Sequence, residues 1–445
     1  SPFTEGSKIL FTNVEKMVSR SKYHDAYGFR FTNDSGLSSG STAELSNVGL
    51  FVLVSSWTAS RRVIGVHLDD ESRLENGSHI VIRDSKVRLG SILAKKTTST
   101  ALQLSNDSGV SGGSSITVVG GSTIVTGNAA NFFTADTRCG ISGVDTTINI
   151  SRTDVKLNAD KEEAAAVALV ADSPLSNGAS VYIGHSNIQV KSSKGDATLV
   201  NVSDGCPFSG SAHLSITDST LESTSAEASA GGITTRSDIT NSTVLVETVT
   251  AKVSGTASTH FFWFADAAIT RSTLNFENNT VECATRSSAT GTMYPFVFVS
   301  LMPTSPASSI AGTNFTLINN NVVLLGELNQ SHTPFPTSLL AIIATGTDNL
   351  APTSRVEMSD VHIDVSFNSV ESSFPNLLWV NTSANSQQLQ QQRNISVTFE
   401  CNRLDNRSTS AKTAAFLPGI AGFNDGAVAD IPCRTPSATV SHPTE

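Results

Sequence analysis

The sequence predicts an all-β fold: a right-handed, single-stranded parallel β-helix, a solenoid of about twelve coils with loop insertions. Three observations predict it. A unit of apolar residues around a small polar residue recurs along the chain, at steps mostly between about 30 and 40 residues. Within each unit apolar and polar residues alternate, the period-2 signature of a strand with one buried face. At the centre of each unit the alternation breaks by an odd step, which a straight strand cannot accommodate.

The unit is clearest at Ile80–Leu89, Ile-Val-Ile-Arg-Asp-Ser-Lys-Val-Arg-Leu. Ile80 and Ile82 precede the central Ser85, and Val87 and Leu89 follow it. Both pairs reach one core only if the chain turns a corner at Asp84–Ser85, where a small polar side chain can bond nearby backbone. The motif returns at Ile148–Leu157, Val181–Val190 and Phe315–Leu324. Its centres run Thr12, Ser46, Ser85, Ser122, Thr153, Ser186, Ser219, Ser242, Asn279, Asn320, Asn368 and Asn402. Stacked coils would align these residues, from Ser85 to Asn402, as a corner ladder of hydroxyls and amides.

A second apolar block follows each corner, such as Phe29–Phe31, Leu102–Leu104, Val167–Leu169, Leu199–Val202, Phe262–Phe264, Phe296–Phe298, Leu340–Ile343 and Leu377–Val380. Each unit thus supplies two short strands at a bend and a third after a loop. At the strand spacing of about 4.8 Å, such a stack makes a rod on the order of 55–60 Å long. A β-sandwich also has short strands and frequent turns, but does not explain a corner recurring at one spacing. The β-helix is assigned to 1–416, and 417–445 to a C-terminal extension with a Ser/Thr/Pro-rich tail. Insertions fall at Asp107–Ser115, Asp160–Ala164, Thr304–Gly312, Thr345–Ser354 and Ala384–Arg393.

Composition narrows the function. Charged residues are 15 %, aromatics 6 %, and the formal net charge is −10, which opposes a nucleic-acid partner. No apolar run is long enough to span a membrane. Asn-x-Ser/Thr sequons, expected to carry N-linked glycans at a subset, stand at Asn33, Asn76, Asn106, Asn149, Asn201, Asn241, Asn278, Asn314, Asn329, Asn381, Asn394 and Asn406. The cysteines are Cys139, Cys206, Cys283, Cys401 and Cys433, without metal-ligand spacing. Cys139–Cys206 and Cys401–Cys433 are the candidate disulfides, and Cys283 reads as a buried thiol. Together these features place the chain in the secretory pathway, as an extracellular or cell-surface protein.

Catalytic signals are sparse. Glycoside hydrolysis needs carboxylates at set separations. Asp69–Asp70 reads as an acidic loop, and His185 in Gly184–His185–Ser186 as a solvent-facing turn residue. Gly-x-Ser-x-Gly around Ser38 and Ser111 lies in Gly/Ser-rich loops without a strand-to-helix turn. No catalytic residue, metal site or cofactor is expected. Trp263 and Phe132–Phe133 are candidates for a glycan-binding face, with core packing the competing role.

Corner strands such as Leu274–Cys283, alternating with apolar blocks such as Pro295–Val299, resemble the pectin-lyase-like surface glycoproteins of kinetoplastid protists, in particular the dispersed gene family of trypanosome surface proteins. The resemblance implies a glycosylated cell-surface β-helix with an adhesive role. The expected function is an extracellular structural or adhesive glycoprotein, a rigid glycosylated rod able to serve in a surface filament or coat. Its partners would be further copies or other surface and matrix glycoproteins. The alternatives are a carbohydrate-active enzyme and a glycan-binding module.

Overall fold

The structure, a computed structural model, describes residues 4–406 except 5, 23, 56–59, 92–96, 204, 266, 286–296, 303–307, 327–336, 344–355, 373–374 and 382–392, together with 429–430 and 438–440. Among the described residues all regular structure is β, and the strands stack in parallel as a solenoid. The chain divides into two compact units, Ser1–Ala228 and Ser229–Glu445. Within each unit the stack is shorter than the expected run of about twelve coils.

In the N-terminal unit, sheet A joins Lys8–Thr12, Thr42–Ser46, His79–Arg83, Ser115–Val119, Thr147–Ser151, Ser180–Gly184 and His213–Thr217 in unbroken parallel register. Sheet B stacks the strands after the corner, from Met17–Ser21 through Lys86–Ser91 to Thr220–Ser225. Sheet C stacks the second apolar blocks, from Ala26–Phe31 through Arg61–Leu68 and Thr97–Leu104 to Ala197–Val202. The C-terminal unit repeats the plan, with Thr243–Glu247, Thr250–Gly255 and Thr259–Ala265 forming one of its coils. Its last strands are met by antiparallel tail segments, Ala438–Val440 on Arg393–Glu400 and Ala429–Asp430 on Arg403–Asn406. A short further segment of sheet A, such as Ile141–Ser142 or Leu175–Ser176, precedes the longer sheet A strand in many coils. Two-residue pieces like these carry no detectable period-2 signal.

Many inward positions stack on a like residue. Ile80, Ile116, Ile148, Val181 and Leu214 form one buried column. Each such side chain contributes about 1.5–3 kcal/mol by leaving water. Phe132 and Phe133 are both core residues, 2 % and 0 % exposed. Consecutive residues can both face inward because the sheet C pairing skips one residue mid-strand, at Phe132 and Ala166.

The corner has a defined conformation. The residue after each sheet A strand is left-handed: Asn13, Asn47, Asp84, Gly120, Arg152, His185 and Asp218 in the first unit, and Thr248, Asn278, Asn319, Phe367 and Cys401 in the second. That one residue reverses the alternation, and it produces the odd step. Asn and Asp tolerate the left-handed region and bulky residues do not. Phe367, at φ 57 and 50 % exposed, therefore carries strain with little burial to offset it. Phe367→Asn is expected to raise stability by about 1 kcal/mol, read as a higher denaturant midpoint. A lower midpoint would refute the strain.

Candidate functional site

The residue after each left-handed corner turns inward and forms the ladder. In the C-terminal unit it is an asparagine file, each member about 1 % exposed. Asn320 Oδ1 accepts from Asn279 N at 3.1 Å and from Asn279 Nδ2 at 2.9 Å. Asn368 Oδ1 accepts in the same way from Asn320, and Asn402 Oδ1 from Asn368. Each Nδ2 also donates to a carbonyl, those of Val246, Phe276, Leu317 and Val365 respectively. In the N-terminal unit Ser85, Thr153, Ser186 and Ser219 hold the same seat with hydroxyls. Val48 N donates to Ser85 Oγ, and Ser186 N to Ser219 Oγ at 3.2 Å.

Two expected members sit elsewhere. Gly121, not Ser122, follows the Gly120 corner, and Ser122 begins the strand Ser122–Gly127. Ser242 belongs to a different file, ahead of sheet A, where its N donates to Ser272 Oγ at 3.3 Å; Val249 holds the corner seat of that coil and donates to Asn279 Oδ1. Thr12 and Ser46 are likewise strand ends, and Val14 and Val48 follow their corners.

A further file corrects a disulfide. Cys139 N donates to Ser173 Oγ at 3.0 Å, and Ser173 N to Cys206 Sγ at 3.2 Å. Cys139 and Cys206 thus lie two rungs apart, about 9.6 Å, beyond a disulfide's Cα reach of about 7 Å. Both are buried thiols, as is Cys283. Burial pushes the Cys139 and Cys283 thiols up to about 12, so neither supplies thiolate at neutral pH. Iodoacetamide is expected to label Cys139, Cys206 and Cys283 only after denaturation. Rapid labelling of the native protein would refute these positions. Cys433, the expected partner of Cys401, lies outside the described residues.

The sequons acquire a structural explanation. Asn33, Asn76, Asn106, Asn241 and Asn278 are all exposed and left-handed. In the first two, the Ser two residues on is a turn or ladder residue: Ser35 donates to Thr32 O, and Ser78 accepts from Ser41 N. The turns elsewhere in these coils therefore write Asn-x-Ser. Asn314 is exposed at a strand start. Asn149 is half-buried, with Oδ1 lacking a partner, and Asn201 Nδ2 donates to Glu163 Oε1 at 2.5 Å. Asn329 and the side chains of Asn381, Asn394 and Asn406 lie outside the described set.

A buried polar cluster around Asp69 was not legible in the sequence. Asp69 is not a solvated loop acid but 2 % exposed. Its Oδ2 accepts from Arg30 at 2.6 Å, and its Oδ1 from Ser105 Oγ at 2.8 Å and Asn106 Nδ2 at 2.7 Å. Burial raises its pKa, but these bonds outweigh burial and hold it at about 2. Asp70 is left-handed and accepts from Thr32 Oγ1 at 3.0 Å. His67, fully buried, meets Ser105 Oγ through Nε2 at 2.7 Å. Because the carboxylate can only accept, the Ser105 proton points at Asp69, and His67 Nε2–H must donate to Ser105. Nδ1 is then a lone pair, and it has no partner. This order is the reverse of a serine nucleophile, whose proton must go to the imidazole. Tyr27 stacks on His67 at 5.5 Å and 3°, and Arg30 lies 4.7 Å from the Tyr27 ring.

The second unit holds a similar arrangement. His260, 7 % exposed, bonds Thr234 Oγ1 through Nε2 at 2.8 Å. Trp263 lies 5.2 Å from its ring, with Arg236 5.3 Å from the indole. Trp263 is half-buried and is the one aromatic candidate on an outer face. Among carboxylates, Glu247 and Glu277 are register partners in sheet A, and Asn275 donates to Glu277 at 2.7 Å. His185 stands at its corner 3.8 Å from Asp218, exposed as expected of a turn residue. Ser38 is a buried turn residue, and Ser111 lies in Val110–Ser111, with no helix at either.

Among the described residues no group of His, Cys, Asp and Glu could hold a metal ion, and no helix is long and apolar enough to cross a membrane. No family model, curated protein or solved structure matches the chain.

Proposed function

We propose that this chain is an extracellular structural or adhesive surface glycoprotein, a stiff solenoid scaffold rather than an enzyme. It associates with further copies or with other surface and matrix glycoproteins, in a filament or coat, and carries N-linked glycans. The observation that carries the reading is where the polar groups go: the Asn279–Asn402 amides, the Ser ladders and the Asp69 network all bond to the neighbouring coils of the solenoid itself. Such bonding stiffens a fold and leaves little poised for chemistry. The exposed left-handed asparagines suit glycan attachment, because a substituent there projects away from the strands. The texture shared with kinetoplastid surface glycoproteins points the same way.

Peptide mapping of the chain made in a secreting eukaryotic cell tests the reading. Glycans are expected first at Asn33, Asn76, Asn241, Asn278 and Asn314, before the half-buried Asn149 and Asn201. Complete absence of glycan from all of these would sink it. The carbohydrate-active alternative rests on Glu247 and Glu277, whose neighbouring carboxylates would have to cleave a glycan. Turnover of a polysaccharide panel that is lost in Glu277→Gln would favour it instead.

A further inference from the structure

Two features built from different residues converge on one design. On sheet C, outside the core, each unit seats a buried imidazole against a hydroxyl and against an aromatic ring that carries an arginine, stacked at 3° in the first unit and tilted at 54° in the second. In the first unit these are His67, Ser105, Tyr27 and Arg30; in the second, His260, Thr234, Trp263 and Arg236. Both histidines lie outside the apolar column. Their rung neighbours are Arg30 and Gln103 for His67, and Gly231 and Val297 for His260. Water can therefore reach either ring if the aromatic cover swings away, with no strand separating.

We propose that these stacks are acid-operated latches: the neutral imidazole holds the aromatic–arginine cover closed, and its protonation releases the cover while the coil beneath stays wound. The groups facing each ring explain why a proton is not tolerated in place. His67 faces Arg30 on Tyr27, Arg62 on its own strand, and Asp69 and Asp70. Asp69 Oδ1 lies 3.8 Å away but is already filled by Ser105 and Asn106. Burial pushes the His67 pKa down to about 4; Asp69 and Asp70 oppose the shift, and Arg30 and Arg62 add to it. For His260 burial pushes it down to about 3. Tyr27 is shifted up by burial and stays neutral, and Asp69, held at about 2, stays charged across the window. The sign follows: a base with a depressed pKa in the closed form favours closure above about pH 6.5, and loses that preference as pH falls toward its closed-form pKa. With an open-form pKa of about 6.5, the opening constant rises about tenfold by pH 5.5. For His67 it rises toward about 300-fold once pH passes below its closed-form value.

Hydroxyl-radical footprinting with mass spectrometry at pH 7.5, 5.5 and 4.0 tests this on the full chain. Tyr27 and Trp263 oxidation is expected to rise several-fold with acid, while Phe133 and Phe262 in the core stay protected. His67→Gln keeps a donor toward Ser105 but cannot titrate, and is expected to flatten the Tyr27 profile alone; His260→Gln should flatten that of Trp263. If either variant fails to fold, Ser105→Ala or Thr234→Ala decides, by moving the matching transition to higher pH. Flat profiles in the unaltered chain would overturn the proposal. So would core oxidation rising in parallel, glutamine variants that titrate unchanged, or alanine variants that leave the transition in place.

Discussion

Asn320→Ala is expected to cost on the order of 4–6 kcal/mol, a large part of the 5–15 kcal/mol that holds a typical domain. The substitution removes an acceptor serving both Asn279 N and Asn279 Nδ2, and a donor serving Phe276 O and Asn368 Oδ1. Asn279 is 1 % exposed, so water cannot replace what is lost. Each orphaned buried group costs about 1–3 kcal/mol. The neighbouring Asn319→Ala is the control. Asn319 is left-handed and donates only from an exposed corner to Asn278 Oδ1, so about 1 kcal/mol is expected there. Denaturant unfolding followed by Trp fluorescence separates the two. Equal shifts would mean that the buried amide file is not the spine of its unit.

The two units solve the same corner with different chemistry. A hydroxyl spans one rung with one or two bonds, as from Ser186 N to Ser219 Oγ, or at Ser85 Oγ, which accepts from Val48 N and donates to Leu45 O. An amide accepts twice from the preceding coil and donates to its carbonyl, so the asparagine file ties adjacent coils at three points. The fold class was legible because the odd step at the corner follows from the left-handed residue that ends each sheet A strand. Ser85, Thr153, Ser186, Ser219 and the asparagines were placed correctly because a polar residue happened to occupy the inward seat. The reading failed where another residue took that seat. Glycines fill it and the corner at 120–121, so the nearest hydroxyl, Ser122, drew the assignment. Val249 fills it in the coil before Asn279, where the nearest hydroxyl, Ser242, belongs to a neighbouring file.

Register, by contrast, left no trace in the sequence. Cys139 and Cys206 looked like bridging loop residues, and only the interposed coil of Ser173 keeps them apart. The His67 network was invisible for the same reason. Arg30, His67 with Asp69, and Ser105 with Asn106 come from three successive coils, some 36 to 39 residues apart. No local motif encodes a contact that depends on the length of each loop. The sequons were visible but ambiguous, since a turn that prefers Asn and a ladder that prefers Ser produce them without any role for glycans.

Gly121→Ser tests the same grammar from the opposite direction. In sequence terms it is an improvement: it places a hydroxyl in the seat that Ser85 and Thr153 occupy in the adjoining coils. In the structure it is a collision. Gly121 has φ +76, and a Cβ there would meet Ser85 O at 2.1 Å and Ser85 N at 2.6 Å, both backbone atoms of the coil below. Those atoms cannot yield without parting the rung, where Ser122 N donates to Ser85 O at 3.0 Å. The expected cost is about 2–4 kcal/mol, the sum of backbone strain and a forced separation of packed coils. Gly40→Ala isolates the first part. Gly40 has φ +75 with nothing within 4 Å of the added carbon, so only the strain of about 1–2 kcal/mol applies. A Gly121→Ser protein no less stable than Gly40→Ala would show that the coils are not in contact at this corner. A clearly larger loss would place the limit on what the corner accepts in the distance between rungs, rather than in the polarity of the residue.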